Sequence, residues 1–252
     1  MVGVVHLLPL PGSPRYGGDW GRVCDAALRD AAALAEGGVH GLVVENLGDA
    51  PYHPDRVPAE TTSHMAALAA EIRRVAEVPL GINVLRNDGC AALAVAHAVG
   101  AAFIRVNVLC GARVTDQGIV VGNAHEVARL RRSLGAESIR ILADVRVKHS
   151  APLGEYPIEQ EVRDTLIRGG AHGVIVSGTG TGQPTAEDEL HAVKEAAGEA
   201  SVWVGSGTTP ETLSRMLPLA DGFIVGTYFK QDGETGNPVD PARVRSFLSA
   251  LP

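Results

Sequence analysis

Basic clusters, paired cysteines and long apolar runs are all scarce in this sequence. Across 252 residues no Lys/Arg group exceeds the arginine pairs of "EIRRVAE" and "RLRRSLG", and the formal net charge is −7 with a pI near 5.7. A chain of that balance lacks the cationic footprint of a nucleic-acid binder. The three cysteines, Cys24, Cys90 and Cys110, lie far apart with no CxxC pair, which excludes a disulfide framework or a zinc site built on cysteine and fits a reducing, cytoplasmic setting. No apolar run approaches the roughly 18 residues of a membrane span. The N-terminal stretch has no basic n-region and is interrupted by His6, Pro9 and Pro11, so neither membrane insertion nor a signal peptide is expected.

What is present is alternation. Short β-rich runs at 2–8, 41–46, 79–85, 103–109, 139–147, 173–178, 201–207 and 222–229 are separated by stretches of helical period, several ending in Gly. Eight such pairs without a composition break predict a single α/β domain over 1–252, a (β/α)8 TIM barrel. A doubly wound open sheet is the rival, but its glycine-rich loop usually follows the first strand, and here the glycines gather after the last three. Three strand-to-helix connections are long: "PLPGSPRYGGDWGR", "CGARVTDQGIVVGN" and "KHSAPLGEY". In the second, Asp-Gln-Gly between β-branched pairs reads as a small hairpin. All three belong at the C-terminal mouth of a barrel, where such folds carry their chemistry.

Side chains alternate along a strand, so parity separates barrel-lining residues from helix-facing ones. In "ILADVRVKHS" one parity is apolar, and the other carries Asp144, Arg146 and Lys148, which a helix-covered face would not tolerate. The same split points His6, Glu45, Asn83, Arg105, Asn107 and Ser177 into the barrel near its mouth. Any one of these is as well read as a hydrogen-bonded residue in a wet barrel. Convergence from six strands is harder to explain by packing, because unpaired buried charges cost several kcal/mol each. Lys148 beside Asp144 suits a general acid, an electrostatic clamp or a Schiff-base amine, against the alternative of a salt bridge closing the mouth. His149 adjoins it. A divalent metal among Glu45, Asp144 and His6 is a further option, and no other cofactor is indicated.

The last three loops are rich in glycine. "SGTGTGQPT" presents Ser177, Gly178 and Gly180, "GSGTTPETL" presents Gly205, Ser206 and Gly207, and "GTYF" presents Gly226 and Thr227. Glycines let a backbone approach a ligand closely, and Thr208 or Thr209 can cap a helix with Pro210 in its first turn. Loops after strands 7 and 8 often hold phosphate in this fold. "TGTGQPT" lacks the Gly-Lys-Ser/Thr ending of a Walker motif and reads instead as a glycine-hinged lid.

Over nearly the whole chain, "VVHLLPLPGSPRY", "VVENLGDAPY", "PLGINVLRND", "FIRVNVLCGARVTDQGIVVGNA", "ILADVRVKHSAPL", "VSGTGTG", "VGSGTTPE" and "DGFIVGTYFKQDG" resemble the BtpA/SgcQ family. The resemblance implies a (β/α)8 barrel of the ribulose-phosphate-binding type. It also implies an association with photosystem I biogenesis in photosynthetic bacteria and with sugar metabolism elsewhere. Its motifs cover His6, Glu45, Asn46, Asn83, Arg86, Asp144, Lys148 and His149, but it carries no proven catalytic role to any of them.

Two functions follow as expectations. One is an enzyme that binds a phosphorylated sugar, phosphoribosyl or nucleotide-like compound. In it Asp144, Lys148, Glu45, His6, Asn107 and Arg105 are catalytic, while Asn46, Asn83, His149 and the glycine loops bind ligand. Proton transfer beside a carbonyl or an anomeric carbon suits isomerases, aldolases and glycosidic-bond enzymes alike. The other is a non-catalytic assembly factor, which predicts an exposed apolar patch and indifference to changes in the polar mouth. A homo-oligomer is compatible with either.

Overall fold

The computed structural model describes residues 1–178, 180 and 185–251. Eight parallel strands close into a barrel: β1 (Val2–His6), β2 (Gly41–Glu45), β3 (Leu80–Asn83), β4 (Phe103–Val106), β7 (Arg140–Val145), β9 (Gly173–Val176), β10 (Ser201–Val204) and β11 (Gly222–Val225). They neighbour one another in chain order, and β1 pairs with β11 to complete the circle. Helices α1 (Trp20–Gly37), α2 (Ala59–Val75), α3 (Gly89–Val99), α4 (Ala124–Ser133), α5 (Ile158–Arg163), α6 (Glu187–Ala197), α7 (Pro210–Met216) and α8 (Pro241–Leu248) cover the outside. Each expected strand and helix forms, and the (β/α)8 reading holds.

Local chemistry sets the ends of the helices. Asp19 caps α1 by accepting from Arg22 N at 2.9 Å, and Asp88 caps α3 by accepting from Ala91 N at 2.8 Å. Gly38 (φ 96) and Gly100 (φ 65) close the same two helices in the left-handed region that glycine enters without strain. One strand parity, including Val5, Val44, Ile82, Ile104, Ala143 and Val204, packs outward against these helices in the main core.

The other parity fills the barrel in two layers. Val4, Val43, Phe103, Leu142 and Ile175 pack with Trp203 in a separate apolar cluster. Two residues further along the same strands stand His6, Glu45, Arg105, Asp144 and Ser177. The lower layer is tight because small and large residues alternate: a Cβ on Gly81 would stand 2.2 Å from the Phe103 ring, and one on Gly222 would stand 2.4 Å from Trp203. An apolar floor therefore carries a polar layer whose only open side is the mouth.

The long loops after β4 and β7 are tied together. Residues β5 (Ala112–Thr115), β6 (Gly118–Val121) and β8 (Ser150–Pro152) form a three-stranded antiparallel sheet in the order β6-β5-β8. The hairpin expected from "RVTDQGIVV" is β5–β6, with Thr115 opposite Gly118. Its pairing with β8 was not evident from sequence. The inner face packs Val120 on Val108 and Val147, and the outer face leaves Val114, Ile119, Val121 and Leu153 exposed.

Arg146 departs from the parity expectation. It follows the last residue of β7 and has φ 48, so strand alternation stops there. Its side chain leaves the barrel and lies 3.8 Å from Glu189, while its backbone N–H donates to Glu161 Oε1 at 2.9 Å.

Candidate active site at the barrel mouth

The polar layer is organised by Arg105. Its Nε and Nη2 donate to the two oxygens of Asp144 at 3.0 and 2.8 Å, and its Nη1 donates to Glu45 Oε1 at 3.0 Å. Asn107 and Ser177 also donate to Asp144, at 2.9 and 3.2 Å, and Asn83 donates to Glu45 Oε1 at 3.0 Å. Residues on five strands or their immediate extensions thus form one buried network. Both oxygens of Asp144 are occupied, and the residue lies beneath the cavity, not in its wall. Glu45 does line the cavity. Its Oε1 takes both hydrogen bonds, and none among the described residues reaches Oε2.

The guanidinium also bears on the metal expectation. Arg105 stands between Glu45 and Asp144, where a shared cation would need to be, and the described residues include no group of three or more His, Cys, Asp or Glu arranged to hold a metal.

The environment perturbs several groups. Burial lowers His6 to about 4, against an opposing pull from Glu45, and His6 Nδ1 is enclosed without a hydrogen-bond partner among the described residues. Glu45 is held below the usual glutamate range because Arg105, His6, Lys148 and Asn83 outweigh the effect of its burial. Burial, reinforced by Arg105 and Arg86, lowers Lys148, with Glu45 and Asp144 opposing. Lys148 forms no ion pair among the described residues, which include no salt bridge from it across the mouth. Burial likewise lowers His149.

His6 makes a testable contribution to stability. Its folded-state value is below its unfolded one, so between about 6.5 and about 4 only the unfolded chain takes up the proton. Stability is then highest above about 6.5 and falls as pH drops to about 4, by up to about 3 kcal/mol. The denaturation midpoint of the wild-type chain should fall relative to that of H6N as pH drops through this window. Parallel profiles would show that His6 is not buried as a neutral ring.

Two chambers open on this layer. The first, about 220 Å³, is walled by Gly205, Ser206, Gly207, Thr208 and Gly226 together with Arg243 of α8. Among the described residues, the N–H groups of Gly207 and Thr208 make no hydrogen bond, and Thr208 Oγ1 is buried without a partner. Arg243 is fixed by its Nε bond to Tyr228 O at 2.7 Å and by stacking over the Tyr228 ring at 4.6 Å. Gly226 makes room for this arrangement, since a Cβ there would meet His6 Cε1 at 2.7 Å. Thr209 caps α7 in a capping box with Thr212, and Pro210 takes the first turn as expected.

The second chamber, about 330 Å³, is lined by Tyr52, Asn83, Arg86, Asn107, Asp116 and His149. His6, Glu45, Arg105 and Lys148 line both chambers and form the ridge between them. Four cations and two carboxylates line the pair, although the whole chain is acidic.

Several expected ligand-binding residues have structural partners instead. Asn46 is fully buried: its Oδ1 accepts from Leu85 N at 2.7 Å, and its Nδ2 donates to Asp49 at 2.9 Å. Asn87, which was not among the expected ligand-binding residues, grips Val108 N and O in the same manner, at 2.7 and 2.9 Å. These side-chain amides continue the strand ladder past its backbone end and set the shape of the mouth. Gly178 donates to Ser206 Oγ at 3.2 Å. Ser177 bonds to Asp144, and Gly180 lines neither chamber. The lid expected from "TGTGQPT" falls mostly on residues 179 and 181–184, outside those described. Arg86, Tyr52, Asp116, Thr208 and Arg243 line the chambers without having stood out by strand parity.

The family model described as the BtpA family matches residues 1–252. The chain belongs to the BtpA family. Among its relatives, the photosystem I biogenesis protein BtpA of Synechocystis is 45% identical over 251 residues, covering 100% of this chain and 87% of that protein. The putative sgc region protein SgcQ of Escherichia coli is 32% identical over 253 residues, covering 100% and 93%. N-(5'-phosphoribosyl)anthranilate isomerase from Pyrococcus furiosus superposes with a TM-score of 0.59 at 13% identity, covering 99% of this chain and 97% of that one. KGPDC from Streptococcus mutans gives 0.57 at 14%, covering 89% and 90%. At such identities these structures establish for this BtpA-family chain the barrel fold and no more. No helix among its described residues is long and apolar enough to cross a membrane.

Proposed function

We propose that this BtpA-family protein is an enzyme acting on a phosphorylated sugar, phosphoribosyl or nucleotide-like small molecule. The observation that carries the reading is the first chamber, where two backbone N–H groups and the Thr208 hydroxyl, all without a partner among the described residues, converge with Arg243 beside glycine-built walls. Such a donor set matches phosphate oxygens. The reacting carbon then lies over the ridge, within the reach of Glu45 and Lys148. A carboxylate held ionised and an amine held below its ordinary range suit proton transfer beside a carbonyl or an anomeric carbon. Asp144 serves as a positioning residue, orienting Arg105 through its paired contacts. The N-(5'-phosphoribosyl)anthranilate isomerase on which the barrel superposes is named for a compound of this class.

Calorimetric titration with sugar phosphates tests the binding step. Affinity should be lost on removing the phosphate, inorganic phosphate should compete, and R243Q should weaken binding at least tenfold, about 1.4 kcal/mol. Absence of competition by phosphate in the wild-type chain would refute the assignment. Borohydride trapping then separates chemistries: an adduct at Lys148 marks a Schiff-base lyase, and turnover without an adduct marks acid–base catalysis.

The assembly-factor reading draws on the Synechocystis relative and on the exposed apolar face made by Val114, Ile119, Val121 and Leu153. It gives no role to the unpaired donors and cations of the mouth.

A further inference from the structure

We propose that the second chamber binds a carboxylate through Arg86, so that the ligand of this site is a phosphorylated acid with phosphate at the glycine-rich end. The phosphate half rests on the function proposed above; the carboxylate half rests on Arg86 itself.

Arg86 is 5% exposed and forms no ion pair among the described residues. Among the described residues its side chain makes one hydrogen bond, from Nη2 to Lys148 O at 2.7 Å, and its remaining donors find no acceptor there. A buried guanidinium without a counterion is costly, by several kcal/mol, so its retention in the wall of a cavity needs a reason. The fold actively holds it there: Asn46 clamps the preceding Leu85, and Arg86 N donates to His53 O at 3.1 Å.

The nearby negative groups do not neutralise it. Asp144 is engaged on both oxygens by Arg105, and Asp116 is an exposed rim residue hydrogen-bonded by Gln117. Lys148 adds a second cation with no ion pair among the described residues, beside the paired Arg105, whereas burial disfavours a further charge on His149. A planar guanidinium fork matches a carboxylate in a bidentate manner, and the Asp116 charge at the rim disfavours a second dianionic phosphate here. Asn107 is 2% exposed, lines the chamber, and has Oδ1 buried without a partner among the described residues. It offers an acceptor for a hydroxyl adjoining the carboxylate. The ridge formed by Glu45, Lys148 and His6 then lies between the two anionic ends, over the middle of the carbon chain.

The test compares terminally phosphorylated aldonic acids, from phosphoglycerate to phosphogluconate, with aldose phosphates of equal length by calorimetric titration. At least one acid should bind the wild-type chain tenfold or more tightly than its aldose counterpart. R86Q should remove that preference while leaving aldose phosphate affinity within about twofold, which also shows that the variant is folded; R86K should restore part of it. Equal affinity of acid and aldose at every length, preference for a bisphosphate, or a preference that survives R86Q would overturn the proposal. If no phosphorylated compound binds the wild-type chain, the phosphate reading fails separately. Unphosphorylated gluconate then decides the carboxylate half: binding that depends on Arg86 supports it, and no binding overturns it.

Discussion

Replacing Arg105 by methionine is expected to lower the stability of the protein by about 3–5 kcal/mol at neutral pH, because Glu45 and Asp144 would be left buried without their shared counterion. Chemical denaturation of R105M provides the measurement. The deficit should shrink as the solution is acidified, since burial of an uncompensated carboxylate raises its folded-state value above the unfolded one. Protonation then favours the folded form, the reverse of the wild-type behaviour of Glu45, whose contribution is lost as pH falls. Replacing all three residues by apolar ones of similar volume should recover much of the loss while abolishing function. A deficit of less than about 1 kcal/mol in R105M would mean that the network is hydrated and open, not a sealed layer.

The second large effect concerns Gly207, which has φ 68 and brings to the first chamber an N–H with no partner among the described residues. Both Asn and Asp tolerate the left-handed region better than other side chains, so G207N and G207D carry similar backbone strain. They differ by one negative charge. Against G207N, G207D should weaken inorganic phosphate or sugar phosphate binding by about 100-fold, equivalent to about 2.7 kcal/mol, with similar melting temperatures. Equal affinities in the two variants would remove phosphate from this chamber.

The barrel was legible because its two periodicities are clean. Several helical stretches end at glycine or begin at aspartate, and five strands put an apolar residue two positions before a polar one on the inner face, as in Val43–Glu45, Phe103–Arg105 and Leu142–Asp144. Parity failed where the chain leaves the sheet. Arg146 turns out at a positive φ, and Asn46 and Asn87 lie past the last ladder bond, where an amide can imitate backbone. Sequence placed Asn46 among ligand-binding residues, but its partners are Leu85 and Asp49, set by loop geometry that no local pattern encodes. Arg86 and Thr208 sit in loops and Arg243 in the first turn of a helix, so strand alternation says nothing of where they point. The motif "PLGINVLRND" did contain Arg86, but a lone arginine in a loop carries no sign that it will be enclosed without a counterion.

Joining β5, β6 and β8 in one sheet has a consequence for exchanging parts between relatives. Lys148 and His149 immediately precede β8, and Asp116 occupies the β5–β6 turn, so backbone pairing across two separate connections fixes their mutual spacing. The two loops form a single inheritable cassette. Transplanting either alone would strand a bare β-edge at the rim and shift the lysine out of register, whereas transplanting both together should carry ligand selectivity from one scaffold to another.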